Sequence, residues 1–351
     1  MEQLTKQWIV DTSVDNLVSN SHIVEAAHEL VSQQVVAFPT ETVYGLGGDA
    51  TSDLAIERIF EAKGRPADNP LIVHIAERSQ LKDYVKEIPP LADKLMSAFW
   101  PGPLTIVFKH NGNLSKRVTA GLSTVAVRMP DHPIALALIK AAGIPLAAPS
   151  ANRSGRPSPT LASHVNEDLK GKIKGIIDGG ATGLGLESTV VACTEDKVTI
   201  LRPGGITKED LEAVCGHVFY DFVLKKEDEA PTSPGMKYVH YAPHAPLTLV
   251  EGTDAFLHKT AEAAYEKGLK VGLLVTYDYQ FATKVHKKVV IGSRDDLTTI
   301  AHHLYEALRT FAEGEVDVIF SEVFPEHGLG RAIMNRLKKA AGGRMVTESD
   351  N

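Results

Sequence analysis

Two short polar segments, far apart in the chain, carry the side chains best suited to chemistry. Lys63 and Arg65 stand in FEAKGRPADNPLIVHI, just past a predicted helix, and Ser150 and Asn152 stand in AAPSANRSGRPSP, just past a predicted strand. Lysine offers a compact positive charge and arginine a planar fork of donors. Acting together, two cations and two short polar side chains suit the binding of a polyphosphate. A Lys/Arg pair at a helix end is also typical of a cap for the helix dipole.

Three further segments are ambiguous when each is taken alone. In PTETVYGLGGDA, which follows a predicted strand, Gly45, Gly47 and Gly48 would let backbone amides approach an anion. The segment matches neither GxGxxG nor a P-loop, so an ordinary turn is an equal alternative. In LGLESTVV and ILRPGGI, Ser188 and Arg202 are flanked by apolar strand residues, and both also fit plain strand structure.

Two predicted strands each present a single ionisable residue. His74 ends the apolar strand LIVHI, where a histidine is more typical of a satisfied core residue than of a catalytic base. In TVAVRMP, Arg128 shares one face with Thr124 and Ala126 by strand alternation. An arginine in that position can reach a carboxylate or a phosphate, or it can form a surface ion pair.

The composition is that of a globular chain with a proper core. The 351 residues are 43% hydrophobic and 23% charged, and this length predicts about two domains. The formal net charge of -7 disfavours strong binding to nucleic acid or anionic membranes, so an anionic ligand must be attracted by a local basic cluster.

Several classes of protein are disfavoured by missing patterns. The two cysteines form no CxxC pair, which argues against a zinc ribbon and a disulfide framework. Fourteen histidines show no HExxH spacing, and no GxSxG elbow is present. No apolar run approaches membrane-spanning length and the start MEQLTKQWIVD lacks a signal-peptide core, so we expect a cytoplasmic protein with no membrane partner.

Hydrophobic periodicity predicts alternating helices and strands in the first two-thirds of the chain. Helices are predicted at 21–34, capped by Ser21, at 52–64, capped by Ser52 and stopped by Gly64, and at 132–143, 160–171 and 207–216. Strands are predicted at 35–40, 71–75, 104–109, 124–130, 145–150, 175–180, 188–194 and 198–204. Because several strands follow one another directly, we expect a mixed sheet.

A change of composition divides the chain. We predict a catalytic domain at 1–216, a polar, proline-rich linker at 217–246 and a C-terminal α/β domain with a largely parallel sheet at 247–351. In the last domain, Gly328, Gly330 and Arg331 open a helix whose start could meet an anion, although a plain helix start is the simpler interpretation.

Taken together, the ordered segments PTETVYGLG, KGRPADNPLIVHI, WPGPLT, TVAVRMP, AAPSAN, ESTVV and LRPG closely resemble those of the YrdC-type threonylcarbamoyl-adenylate synthases. The KxR and SxN residues of that family are present at Lys63, Arg65, Ser150 and Asn152, and SPGMKYVHYAP with the C-terminal unit resembles the long, two-domain form. The resemblance implies an α/β fold: a twisted mixed sheet with a concave cavity, followed by a smaller Rossmann-like domain.

The resemblance also implies a reaction. L-Threonine, bicarbonate and ATP would yield threonylcarbamoyl-AMP, pyrophosphate and water. A downstream transferase complex would use this product for the N6-threonylcarbamoyladenosine at position 37 of ANN-decoding tRNAs, so that contact with tRNA is indirect or weak. Mg²⁺ would enter with the ATP phosphates rather than through protein side chains.

The same resemblance implies roles for individual residues. The catalytic set would be Lys63, Arg65, Ser150 and Asn152. ATP would be bound by Lys63, Arg65, Asn69, Thr124, Ser150, Ser158, Arg202 and Tyr241. L-Threonine would be bound by Thr40, His74, Arg128, Ala148 and Ser188. We expect Lys63 to be an exposed cavity lysine, and the linker with Tyr241 to close over the cavity as a lid that excludes water.

Two rival functions are considered. The first is an RNA-binding module of the same fold without catalysis, against which the acidic balance and the lack of a basic-aromatic stripe argue. The second is a carbamoyltransferase of the hydrogenase-maturation type, which would need cysteine-rich zinc motifs that two lone cysteines cannot supply. For the C-terminal domain, regulation, support of the lid and docking of the downstream transferase are all open.

Overall fold

The computed structural model describes residues 4–221 and 240–350. The chain forms two compact units. The first holds most of residues 4–221, and the second holds residues 240–350 together with the short segments 155–158 and 184–186.

The first unit is built on one large sheet. Its described strands are β1 (Lys6–Ile9), β2 (Val36–Phe38), β3 (Gly45–Asp49), β4 (Ile72–His74), β5 (Leu104–Lys109), β6 (Thr124–Arg128), β7 (Leu146–Ala147), β8 (Gly175–Asp178), β9 (Thr189–Cys193), β10 (Val198–Arg202) and β11 (Val218–Tyr220). They lie in the order β1-β8-β2-β3-β7-β4-β6-β5-β9-β10-β11. Because β4 runs parallel to β6 but antiparallel to β7, the sheet is mixed, which confirms the prediction.

Helices cover both faces of this sheet. They are α1 (Ser21–Val31), α2 (Asp53–Lys63), α3 (Pro90–Phe99), α4 (Pro133–Ala142), α5 (Ala162–Leu169) and α6 (Lys208–Cys215). Along β2, Val36 and Phe38 join a buried cluster with α1 and α4, whereas Ala37 joins the cluster that contains Ile56 and Ile59 of α2. Alternate strand residues thus feed two cores, one on each face.

The ends of two helices test the predicted caps. The Ser52 side chain accepts a hydrogen bond from the amide of Ala55, and Gly64 ends α2 in the left-handed conformation at φ 60, as expected. The predicted cap at Ser21 is wrong by one residue: the side chain of Asn20 accepts hydrogen bonds from the first turn of α1, and Ser21 is its first residue.

The glycine-rich segment is a strand rather than the predicted turn. Residues Gly45–Asp49 form β3, inside the sheet between β2 and β7. A methyl group at Gly47 would lie 2.7 Å from a ring carbon of Phe38, and one at Gly48 would lie 3.1 Å from a methyl of Ile59. The glycines therefore admit large neighbours from both faces, and these residues form neither the turn nor the loop that the sequence left open.

Other elements were not predicted. Besides β3, these are β1, α3, β11 and, in the second unit, β16 (Met345–Thr347). β11 pairs in parallel with β10, so the first residues of the span predicted as linker extend the large sheet. Residues 222–239, which hold most of the predicted linker and lid, lie outside the described residues.

The second unit is a parallel α/β sheet, as predicted. Its strands β12 (Leu247–Glu251), β13 (Val271–Val275), β14 (Lys287–Val290), β15 (Val318–Glu322) and β16 lie in the order β14-β13-β15-β12-β16, and all pairs are parallel. The helices are α7 (Asp254–Glu266), α8 (Leu297–Thr310) and α9 (Gly328–Ala341). Helix α9 begins at Gly328, and close packing explains the glycine two residues later. A methyl group at Gly330 would lie 2.0 Å from the carbonyl oxygen of Pro325.

The part of the chain that the structure describes contains neither a membrane-spanning helix nor a cluster of metal-ligating side chains. None of its helices combines the length and the apolar character needed to cross a membrane. None of its clusters of histidine, cysteine, aspartate and glutamate has a geometry that could hold a metal ion.

Candidate active site

Neighbouring strands at the middle of the large sheet bring most of the predicted site residues together. The order β7-β4-β6-β5-β9-β10 places six strands side by side, and each of them except β5 carries or adjoins at least one of these residues. His74 on β4 is directly paired with Arg128 on β6, which is itself paired with Thr105 on β5. These residues are far apart in the sequence, and only strand pairing makes them neighbours.

Lys63 links helix α2 to the segment that follows β7. Its ammonium group donates hydrogen bonds to the carbonyl oxygens of Ser150 and Asn152, the latter at 2.6 Å. It also lies 3.4 Å from Oδ1 of Asn152. Only 2% of Lys63 is exposed, so the expected exposed cavity lysine is in fact buried. The physical reason is that two backbone carbonyls solvate the charge in place of water.

The two polar residues after β7 are held by each other and by β3. The Ser150 hydroxyl donates to Oδ1 of Asn152 at 2.5 Å. The amide of Ala151 donates to the carbonyl of Tyr44, and the amide of Leu46 donates to that of Pro149, so this segment runs alongside β3 as an extended chain. The SxN pair is thereby fixed beside Lys63, as the motif predicts.

Arg65 faces a different backbone segment. Its guanidinium donates to the carbonyl oxygens of Asn69 and Pro70, at 3.4 and 3.1 Å. Asn69 is 1% exposed, and within the described chain its side-chain Oδ1 has no hydrogen-bond partner. Arg65 therefore contacts the segment just before β4, whereas Lys63 contacts the segment just after β7.

Arg128 is a buried cation that contacts three residues of the site. At 4% exposure, it donates from Nε to the carbonyl of Gly102 at 3.3 Å and from Nη1 to the hydroxyl of Thr42 at 3.0 Å. Its third nitrogen, Nη2, lies 2.6 Å from Oε2 of Glu41. The Thr42 hydroxyl in turn lies 2.8 Å from that of Thr40, which is predicted to bind the substrate L-threonine.

His74 is kept neutral. Burial, and secondarily the charge of Arg128, lower the pKa of this imidazole to about 3. Its Nδ1 lies 3.3 Å from the carbonyl of Ile72, which also accepts a hydrogen bond from the amide of Ala148 at 2.9 Å. His74 and Ala148, two of the predicted threonine contacts, are thus joined through one carbonyl.

Ser188 and Arg202 form a second buried group. The guanidinium of Arg202 donates to the Ser188 carbonyl at 2.9 Å and to its hydroxyl at 3.2 Å. The same hydroxyl lies 2.7 Å from that of Thr105. The resemblance placed Ser188 with threonine and Arg202 with ATP, and the structure puts the two in direct contact.

Thr124 lies at the far end of β6 from Arg128. They are four residue steps apart along the strand, about 13 Å. Thr124 borders a cavity of about 10 Å³ that Pro70 also lines, which places it near the carbonyl to which Arg65 donates. The assignment of Thr124 to the nucleotide and of Arg128 to the amino acid stays a prediction.

Two predicted nucleotide contacts belong to the second unit. Ser158 is 1% exposed. Tyr241 has a positive φ of 65, is buried, and stacks on Tyr305 with ring centroids 5.1 Å apart. Their proposed contacts with ATP stay predictions.

Three site residues were missed by the sequence analysis. Glu41, Thr42 and Thr105 each contact a predicted residue, but none stands out from its segment by type or spacing. The alternation of TVAVR predicts the face that carries Arg128, but no pattern in the sequence predicts which loop residues meet its guanidinium.

The second unit has a crevice of its own, of about 540 Å³, at the carboxyl ends of β12 and β15. Its one cation, Arg294, donates from Nε to Glu322 at 2.6 Å and forms an ion pair with Asp254. Two carboxylates therefore already occupy this guanidinium, so the crevice fits an anionic ligand less well than the site in the large sheet.

Comparisons with known proteins agree with this geometry. The family model Sua5_yciO_yrdC, described as telomere recombination, matches residues 28–204. The model described as threonylcarbamoyl-AMP synthase, C-terminal domain, matches residues 206–342.

Individual relatives match almost the whole chain. A threonylcarbamoyl-AMP synthase of Bacillus subtilis is 52% identical over 97% of this chain and 99% of its own. One from Pyrococcus abyssi is 49% identical over 89% and 92%. The crystal structure of P. abyssi Sua5 complexed with L-threonine matches at a TM-score of 0.90 and 46% identity, over 98% of this chain and 99% of that one. The chain therefore belongs to the threonylcarbamoyl-AMP synthase family, in its long form with a C-terminal domain.

Proposed function

We propose that this enzyme condenses L-threonine, bicarbonate and ATP into threonylcarbamoyl-AMP and releases pyrophosphate. The observation that carries the proposal is the burial of three cations around the central strands. Lys63, Arg128 and Arg202 are 2%, 4% and 5% exposed. Lysine and arginine are almost never fully buried unless they are paired. The reaction has two anionic substrates to seat besides bicarbonate, namely the triphosphate and the amino-acid carboxylate.

The two substrates divide the site along β6. The carboxylate of threonine would bind Arg128, with Thr40, His74, Ala148 and Ser188 around the rest of the amino acid. The triphosphate would bind at Lys63 and Arg65, with Asn69, Thr124, Ser150, Ser158, Asn152, Arg202 and Tyr241 as further contacts. The P. abyssi relative was crystallised with L-threonine, which supports the amino-acid half of this division.

The chemistry needs no nucleophile from the protein. The threonine amine captures the carbon of bicarbonate, water leaves, and an oxygen of the carbamate attacks the α-phosphorus of ATP. Lys63 and Arg65 would hold the triphosphate and stabilise the departing pyrophosphate, so positioning and charge neutralisation carry the catalysis. Mg²⁺ enters as part of the ATP substrate.

The product has a defined use in this proposal. It would pass to a threonylcarbamoyl-transferring complex that makes N6-threonylcarbamoyladenosine at position 37 of ANN-decoding tRNAs. The reaction would take place in the cytoplasm, where ATP and these tRNAs occur together.

Pyrophosphate release from ATP tests the proposal, with threonine and bicarbonate omitted in turn. We expect release only when both are present, and serine in place of threonine should give a lower kcat/KM. Release that is independent of either co-substrate would contradict the proposal. Tight, steeply salt-dependent binding of tRNA without release would favour the RNA-binding alternative.

A further inference from the structure

Glu41 carries a buried charge that the roles assigned so far leave unused. It lies in the loop between β2 and β3, where the Thr40 hydroxyl donates to the carbonyl of Val43 and fixes the turn. Its side chain is 17% exposed, yet both carboxylate oxygens are buried. The carboxylate therefore points inward, toward Arg128.

The contact between the two charges is close but poorly directed. Nη2 of Arg128 and Oε2 of Glu41 are 2.6 Å apart, yet the pair lacks hydrogen-bond alignment, and within the described residues neither oxygen of Glu41 has an aligned donor. The other two nitrogens of the guanidinium are directed at Gly102 and Thr42. A buried carboxylate without aligned donors is costly. A ligand that donates hydrogen bonds to this carboxylate would therefore be bound favourably.

An amino acid supplies both missing partners. Its carboxylate can take the place of Glu41 on Arg128, and its ammonium can then donate to Glu41. Because the ion pair and the zwitterion each have no net charge, the exchange buries no unpaired charge. The carboxylate of Glu41 has to rotate away from the guanidinium to admit the ligand.

We propose that Glu41 binds the ammonium group of the substrate amino acid and makes the site selective for an α-amine. This inference rests on the proposed function and adds a specificity-determining residue to it. The neighbouring groups cannot take that part. The neutral imidazole of His74 carries no negative charge, and the Thr40 hydroxyl already donates to the Val43 carbonyl.

Calorimetric binding of two ligands tests the inference. One is L-threonine, and the other is 2,3-dihydroxybutanoate of matching configuration, in which a hydroxyl replaces the amine. We expect the wild type to prefer threonine by about a hundredfold or more, since a buried group left unpaired rejects an analogue strongly. Glu41→Gln should weaken threonine binding about tenfold to a hundredfold and leave the dihydroxy acid unchanged or tighter. Glu87→Gln, which removes one charge of an exposed ion pair, is the matched control and should change neither affinity.

The remaining outcomes are decisive as well. If Glu41→Gln lost affinity equally for both ligands, Glu41 would only hold Arg128 in place, and the inference would be overturned. So would a wild type that binds the dihydroxy acid as well as threonine. If Glu41→Gln fails to fold, Glu41→Asp replaces it, because this change shortens the side chain by one methylene and moves the charge away from the ligand. This variant must then lose more affinity for threonine than for the analogue. A wild type that binds no threonine would instead contradict the proposed function itself.

Discussion

Each unit of the molecule holds an arginine against acidic side chains, but the two groups are built differently. In the second unit, Arg294 donates aligned hydrogen bonds to Glu322 and Asp254, and its side chain is 38% exposed. In the first unit, Arg128 is 5% exposed at its side chain and meets Glu41 without alignment. The satisfied, half-exposed group stabilises its own fold. The buried and unsatisfied group suits the exchange of partners with a ligand.

The same contrast extends to the lysines. Lys63 is buried and directed at two backbone carbonyls, whereas Lys287 forms an ion pair with Glu315 at the surface of the second unit. Lys287 also donates to the carbonyl of Thr310, so the clearest difference between the two lysines is their burial.

The largest expected effect comes from Lys63→Ala. We expect the rate of pyrophosphate release to fall about tenfold to a hundredfold or more, since charge-assisted hydrogen bonds contribute about 1.5–3 kcal/mol each. Because the carbonyls of Ser150 and Asn152 lose their buried donor, the first unit should also lose about 1–3 kcal/mol of unfolding free energy. Both tryptophans, Trp8 and Trp100, lie in that unit, so intrinsic fluorescence in urea follows it.

Lys116→Ala is the matched control, because this lysine is exposed. It should leave both the rate and the unfolding curve unchanged. A normal rate in Lys63→Ala would remove the assigned role in binding the triphosphate.

Arg294→Ala should lower the stability of the second unit and leave the rate of pyrophosphate release nearly unchanged. The carboxylate of Glu322, 7% exposed at its side chain, would lose the arginine donor at Oε2 and keep the amide of Thr276 at Oε1. We expect a loss of about 1–2 kcal/mol in the stability of that unit. Hydrogen exchange of the β15 amides should be faster, while pyrophosphate release stays within about twofold of the wild type. A fall in rate as large as that of Lys63→Ala would mean that the two groups do not differ as described.

The last expected effect concerns the pH dependence of stability. The pKa of His74 is about 3 in the folded protein and 6.5 in its unperturbed state, so the unfolded chain binds the proton more readily. The stabilising contribution is therefore complete above pH 6.5 and falls as the pH drops toward 3. The slope from this group approaches about 1.4 kcal/mol per pH unit. The free energy of unfolding, measured in urea at pH 7, 6 and 5, should depend less on pH in His74→Asn than in the wild type. Equal pH dependence in the two proteins would contradict a neutral buried imidazole.

Much of this site could be predicted from local patterns. The capped helix that ends at Gly64 places Lys63 in its last turn, and the alternation in TVAVR predicts the face of Arg128. The order of strands could not be predicted, because β4, β6 and β5 become neighbours only through long-range pairing.

The failures have equally physical causes. The glycines of β3 resemble a turn, yet they serve close packing against Phe38 and Ile59. The burial of Lys63 depends on carbonyls from a segment almost ninety positions away. The meeting of Glu41 with Arg128 depends on a loop conformation that no periodicity encodes.

The most direct test compares Arg128→Lys with Arg294→Lys by the threonine dependence of pyrophosphate release. Each change keeps the charge and removes the planar fork of donors. We predict that the KM for threonine rises about tenfold or more in Arg128→Lys and stays at the wild-type value in Arg294→Lys. An unchanged KM in Arg128→Lys, or an equal rise in both variants, would contradict a threonine site at the central strands of the first unit.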